Sequence, residues 1–236
     1  MSGRDTRGAW ILGTDPASAR TIATAGFDWV ALDLQHGRLD DARMYDVLAA
    51  TADTVPRWVR VRALDPGLIG RALDSGADGV IVPQVSSAAD ARAAVVATHH
   101  PPRGVRSWGP LSGYGASERE PRVAVMIETA LGLEGAGAIA RTPGVDLVLV
   151  GPFDLALACG TDVDGLLAAA GADPRSPLPT VRDAALAAGV RIGAFAGTPD
   201  VAARFADLGY RDLVVATDES LLRDAARRAA QSAAIG

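Results

Sequence analysis

No lysine occurs in this chain; all 23 basic residues are arginine. That absence excludes a Schiff-base lysine, a lysine-anchored pyridoxal phosphate and the usual P-loop lysine. Any carbanion formed here has to be held by a metal ion or by hydrogen-bond donors. Cys159 stands alone, so no internal disulfide can form, and the chain reads as reduced and cytoplasmic. Apolar runs stop well short of the roughly 18 residues of a membrane span. The first nine residues, MSGRDTRGA, lack the apolar core of a secretory signal. A net charge of −5 with no basic run gives no footprint for nucleic acid. No low-complexity tract or composition shift marks a boundary, which implies one domain over residues 1–236.

What is present is a repeating pattern. Short runs rich in Val, Ile and Leu predict strands at Trp10–Leu12, Trp29–Leu34, Trp58–Val61, Gly79–Val85, Val123–Ile127, Leu147–Gly151, Arg191–Phe195 and Leu213–Ala216. They are nearly continuous rather than alternating, as in parallel strands covered on both faces. Between them, helical spacing predicts helices at Pro16–Ala25, Leu39–Ala52, Pro66–Ser75, Ser87–Thr98, Leu131–Arg141, Val181–Ala188, Asp200–Leu208 and Leu221–Ala233. Gly26, Gly76, Gly189 and Gly209 sit where a left-handed residue closes a helix, and Asp65 and Ser87 where N-caps belong. Segment Cys159–Pro179 reads as an insertion with a short helix near Leu166–Ala170. Eight such units predict an α/β fold, a single (β/α)8 TIM barrel, with a doubly wound sheet as the alternative.

Chemistry in such barrels gathers at the C-terminal strand ends. There the sequence places Asp33, Gln35 and His36 after strand two, Arg60 and Arg62 at strand three, and Gln84 after strand four. Glu128 follows strand five, and Gly151-Pro152-Phe153-Asp154 follows strand six. The opposite ends carry mostly turn and cap residues. Glu128 and Asp154 on neighbouring strands suit Mg²⁺ or Mn²⁺. The plainer readings are an arginine partner for Glu128 and an N-cap at Asp154 for a helix starting at Leu155. His36 is either a base oriented by Asp33 or a surface histidine. Arg60 and Arg62 share a side of strand three, where one could grip a carboxylate or an enolate oxygen and either could pair with a rim acid. His99 and His100, before Pro101-Pro102, read as solvent-facing. No glycine-rich phosphate cup follows the last two strands, so a phosphosugar is disfavoured.

Several motifs together resemble the HpcH/HpaI aldolase family, the class II pyruvate aldolases. They are Gly26-Phe27-Asp28-Trp29 with Asp33-Leu34-Gln35-His36-Gly37, Pro101-Pro102-Arg103-Gly104-Val105-Arg106, Met126-Ile127-Glu128-Thr129, and Gly144-Val145-Asp146 with Gly151-Pro152-Phe153-Asp154-Leu155. The resemblance runs from Trp10 to Leu222. It implies a divalent metal (Mg²⁺, Mn²⁺ or Co²⁺) on Glu128 and Asp154, a catalytic His36–Asp33 pair, and an enolate-stabilising Arg60. It also implies a substrate pocket shaped by Trp10 and the backbone around Gly151 and Pro152, and the strand-end residues Gln84 and Phe153 are further substrate-binding candidates. A homo-oligomer, trimer or hexamer, that exchanges a C-terminal helix is implied as well. Gln35 stands where glutamate is frequent, Met126 where some members have glutamine, and the Arg106–Arg122 segment is shorter than usual.

The activity implied is reversible retro-aldol cleavage of a 4-hydroxy-2-oxo acid to pyruvate and an aldehyde through a metal-bound enolate. Small molecules are then the partners, with neither nucleic acid nor membrane. The alternatives are a CoA-thioester lyase of the citrate lyase or malyl-CoA lyase type, an isomerase or decarboxylase using the same enolate, and a non-catalytic keto-acid-binding barrel.

Overall fold

A computed structural model describes residues 4–109 and 120–232. Eight strands pair in parallel in sequence order and close on themselves. They are β1 (Thr6–Ile11), β2 (Trp29–Asp33), β3 (Arg57–Arg60), β4 (Gly79–Val82), β5 (Arg122–Ile127), β6 (Leu147–Val150), β7 (Arg191–Phe195) and β8 (Asp212–Thr217). The helices are α1 (Pro16–Ala23), α2 (Asp41–Ala50), α3 (Pro66–Asp74), α4 (Ala88–Thr98), α5 (Ala130–Glu134), α6 (Ala136–Ala140), α7 (Pro152–Ala158), α8 (Val163–Ala172), α9 (Pro177–Ala188), α10 (Pro199–Asp207) and α11 (Asp218–Ser232). The chain is thus a (β/α)8 barrel and not an open doubly wound sheet. Among the described residues, no single helix is long and apolar enough to cross a membrane.

Local chemistry explains the helix ends. Asp15, Asp65 and Thr198 each precede a proline and accept the backbone N–H three residues on, at 2.8, 3.0 and 3.3 Å. Proline at the first helical position loses no bond, because that N–H has no intrahelical partner. Ser87 caps α4 in the same way, accepting from Asp90 N at 3.1 Å. Gly26, Gly76, Gly189 and Gly209 all take positive φ, between 71° and 104°.

Three expectations need correction. β1 begins at Thr6 rather than Trp10, because Thr6 and Arg7 already pair with Asp212 and Leu213 of β8 despite their polarity. The helix expected over Leu131–Arg141 is two short ones, broken at Gly135, which closes α5 and opens α6. The insertion holds a helix twice as long as expected, α8, capped by Asp162 onto Gly165 N at 2.7 Å.

Side chains alternate in and out along each strand. Inward-facing Trp10, Trp29, Ala31, Trp58, Ile81, Ala124, Met126, Leu147, Leu149 and Val214 fill the barrel, while the outward-facing residues join the helices in a larger core. Two glycines make room for the indoles at the closed end. A Cβ on Gly8 would lie 2.4 Å from the Trp29 ring, and one on Gly79 would lie 2.7 Å from the Trp58 ring.

That closed end is more charged than expected from the sequence. Asp28, Asp78 and Asp146, each just before or at the start of an even strand, accept the backbone N–H of Arg7, Arg57 and Val123 at 2.8, 2.9 and 2.8 Å. Asp212 instead takes the Arg191 guanidinium, with Nε at 2.8 Å. These acids fix the register between consecutive strands, so their charge is structural.

Gly8→Ala is expected to destabilise the fold by about 1–3 kcal/mol, through overpacking against Trp29. Gly171→Ala in α8, where a Cβ meets nothing within 4 Å, is expected to be neutral or stabilising by up to about 1 kcal/mol. Denaturant unfolding of both variants checks the pair.

Candidate active site

Alternation along the strands also selects which polar residues face the axis. Asp33 follows Trp29 and Ala31 on the inner face of β2, Arg60 follows Trp58 on β3, and Glu128 follows Ala124 and Met126 on β5. All three are buried at the open mouth.

Asp33 is the hub. Its carboxylate takes Arg60 bidentately, Nε to Oδ1 at 2.9 Å and Nη2 to Oδ2 at 2.5 Å. It also accepts from Trp10 Nε1 at 3.1 Å and from the backbone N–H groups of Gln35 and His36 at 2.9 and 3.1 Å. Burial pushes this carboxyl upward, but the bonds and charge of Arg60, with help from His36 N–H and Trp10, outweigh it and hold Asp33 below the usual range. The Arg60 guanidinium lies over the Trp10 ring, 5.2 Å from its centroid. The expected orientation of His36 therefore needs restating. Asp33 grips its backbone N–H and so fixes the turn, while the carboxylate itself is engaged by Arg60. The turn is tight, since a Cβ on Gly37 would lie 2.2 Å from Asp33 O.

Glu128 is the opposite case. Oε1 accepts from Gln84 N at 2.8 Å, with Gln84 in the left-handed region at φ 55°. Oε2 is buried and has no hydrogen-bond partner among the described residues. Burial drives this carboxyl above the usual range; Gln84 N–H opposes the shift, and the neighbouring charge of Asp154 adds to it. A Cβ at Gly151 would lie 2.1 Å from Oε2, so glycine there clears the space Glu128 occupies. Pro152 then opens α7 and puts Asp154 in its first turn.

These residues line one cavity of about 310 Å³: Asp33, His36, Arg60, Glu128 and Asp154, with Trp10, Gly151, Pro152 and Phe153 around them. Gln84 is the exception among the sequence candidates. It is exposed and is not among the residues that line the cavity, and its contribution is the backbone N–H to Glu128. Asp154 does not cap a helix starting at Leu155, because α7 starts three residues earlier with Gly151 as its N-cap. Among the described residues, no arginine hydrogen-bonds or ion-pairs with Glu128. Arg62 lies outside the cavity, directed at Asp41 Oδ1 (3.4 Å) and Leu39 O (3.3 Å). His99 is buried rather than solvent-facing, and His100 is half-buried with Nδ1 2.9 Å from Arg106 O, because Val105 and Arg106 fold back onto Val96 and His99.

Sequence reading missed Leu12 and Phe195 as lining residues. Strand alternation identifies both, Leu12 two residues beyond Trp10 and Phe195 two beyond Gly193. Most of the shortened segment, residues 110–119, lies outside the described residues.

Residues 7–225 match the family model described as HpcH/HpaI aldolase/citrate lyase. The chain belongs to that family. It is 33% identical to a 2-dehydro-3,6-dideoxy-6-sulfogluconate aldolase of Pseudomonas putida, over 91% of this chain and 87% of the relative. It is 35% identical to a hydroxypyruvate/pyruvate aldolase of Chromohalobacter salexigens, over 94% and 91%. The crystal structure of an HpcH/HpaI aldolase/citrate lyase family protein from Burkholderia cenocepacia J2315 superposes with a TM-score of 0.84, at 31% identity, over 97% of this chain and 94% of that one. With such relatives named as aldolases, the protein is a carbon–carbon lyase.

The Glu128 carboxyl carries a pH signature. Its proton affinity is higher folded than unfolded, so the fold is favoured while it is protonated and loses stability as pH rises above the ordinary glutamate value. Metal-free Glu128→Gln is therefore expected to melt above the parent at about pH 8, with the gain shrinking toward about pH 5. Thermal unfolding in EDTA across that range measures it, and a gain independent of pH would contradict it.

Proposed function

We propose that this barrel is a divalent-metal-dependent aldolase that cleaves and forms 4-hydroxy-2-oxo acids by way of a pyruvate enolate. The observation that carries the reading is Glu128 Oε2, a buried carboxylate oxygen with no hydrogen-bond partner among the described residues, in a cavity shared with Asp154. An orphaned buried anion is costly, so its position asks for a cation. Among the described residues, no three His, Cys, Asp or Glu side chains cluster closely enough to enclose a metal. Two carboxylates therefore leave room for water and substrate oxygens, which suits a hard ion such as Mg²⁺ or Mn²⁺, or Co²⁺. When bound there, such an ion would supply Lewis-acid stabilisation to a 2-oxo acid.

The chain's own residues supply the rest. In the cleavage direction His36 takes the proton from the C4 hydroxyl, the C4–O bond becomes the aldehyde carbonyl, and the C3–C4 pair passes to the C2 oxygen as the enolate. Arg60, held by Asp33, places a fixed positive charge beside that oxygen. The released enolate takes a proton at C3 to give pyruvate. Trp10 and the backbone at Gly151-Pro152 shape the space for the oxo-acid end. The aldolase relatives, one of them named for hydroxypyruvate and pyruvate, support a small 2-oxo acid as the donor.

The reading includes a homo-oligomer, a trimer or hexamer acting in the cytoplasm. Helix α11 has no buried residue. A groove of about 530 Å³ runs between the turn after α1 and helix α10, walled by Phe27, Ala202, Ala206, Leu213 and Val215. A C-terminal helix from another copy fits these two observations together.

Two results are expected. With pyruvate and an aldehyde in Mg²⁺ or Mn²⁺, His36→Ala should lower turnover by roughly 10²–10⁴, while Glu128→Ala and Asp154→Ala should abolish the response to added metal. Steady-state kinetics with metal titrated in measures both; full activity of all three variants would rule the assignment out. Light scattering should return a trimer or hexamer, and a monomer at micromolar concentration would contradict the assembly.

A further inference from the structure

The cavity mouth is chemically divided. The arc from β2 to β6 carries Asp33, Arg60, Glu128 and Asp154. The remaining arc, from β7 round to β1, presents Phe195 and Leu12, with Phe153 leaning in from the start of α7. The Phe195 ring packs edge-on to Trp10 at 5.3 Å and to Phe153 at 6.1 Å, so three aromatic side chains form one continuous wall. Phe153 is 59% exposed, which makes it a surface offered to a ligand rather than core.

Behind this arc the rim is acidic. Asp218 accepts from Leu12 N at 3.1 Å and Gly13 N at 2.7 Å, and Glu219 follows it. Arg38 reaches the same place, its backbone N–H on Leu12 O at 2.8 Å, but its guanidinium is ion-paired with Glu219.

We propose that the Phe195–Leu12–Phe153 arc receives the aldehyde half of the substrate, and that the acceptor is an uncharged, apolar aldehyde. The inference rests on the aldolase reading above. In that reading the oxo-acid end is drawn to the charged arc, leaving the chain beyond the C4 hydroxyl to run from His36 over the apolar arc. An alkyl or aryl group there is stabilised in proportion to the apolar area it removes from water. A terminal carboxylate would lose water there without gaining a cationic partner among the described residues, and the nearest charges behind the arc, Asp218 and Glu219, are of its own sign. Among the described residues, no arginine on that arc is without an acidic partner.

The test compares two four-carbon acceptors, butanal and succinic semialdehyde, which differ in a terminal carboxylate. The full chain in its native assembly is assayed with pyruvate and Mg²⁺ or Mn²⁺. The expected kcat/KM for butanal exceeds that for succinic semialdehyde by about tenfold or more, a factor equivalent to ~1.4 kcal/mol. Phe153→Arg, at a position already open to solvent, is expected to close or reverse that ratio. Equal or better use of succinic semialdehyde by the parent overturns the acceptor assignment, as does failure to use either aldehyde. Deuteration of the pyruvate methyl group in D₂O separates the two levels. Exchange alongside either of those outcomes sinks only the acceptor class, whereas no exchange with any metal sinks the aldolase reading beneath it.

Discussion

The bidentate pair between Asp33 and Arg60 is the interaction on which the open end of the barrel depends. Two ionised groups are buried there, and each would be strongly destabilising without the other. Asp33 also collects Trp10 Nε1 and two backbone N–H groups, so one carboxylate joins β1, β2, β3 and the turn that carries His36. The pairing also leaves Glu128 free. An unengaged guanidinium in the same cavity would fall onto the nearest buried carboxylate; with Arg60 held by Asp33, Glu128 Oε2 has no hydrogen-bond partner among the described residues. The site thus keeps a fixed positive charge and an unsatisfied negative group side by side without letting them neutralise each other.

The rest of the barrel keeps that separation rigid. At the closed end, aspartates clip successive strands in register while Trp29 and Trp58 fill the interior over Gly8 and Gly79. A one-residue slip in any strand would turn its inner side chains outward, removing Asp33, Arg60 or Glu128 from the mouth. The left-handed backbone at Gln84 and the missing Cβ at Gly151 are local concessions to Glu128: one supplies its single hydrogen bond, the other the space for Oε2. Strain and an orphaned charge in the same few residues mark where stability has been given up for function.

Much of this was legible in the sequence because strand alternation and strand-end chemistry are local. The eight apolar runs, the proline-led helices and the closing glycines announce the barrel. The polar strand ends announce Asp33, Arg60, Glu128 and Asp154 as candidates. Three-dimensional partnership was not legible. Nothing in the spacing of Asp33 and His36 shows that the carboxylate goes to Arg60, 27 residues away, while it holds the backbone N–H of His36. Gln84 looks like a side-chain ligand in sequence and acts through its N–H. His99 and His100 look exposed before two prolines, yet the chain returns over them at Val105 and Arg106. Pro152 signals a helix start that outranks Asp154 as a cap, a signal the sequence reading passed over.

The central claim is that the unpartnered oxygen of Glu128 is kept for a divalent cation shared with Asp154. Anomalous diffraction from crystals soaked in Mn²⁺ and pyruvate tests it directly. The account predicts a single strong peak in the cavity lined by Glu128 and Asp154, lost in Glu128→Gln crystals. Full occupancy of Mn²⁺ elsewhere in the barrel, with Glu128 untouched, would contradict it.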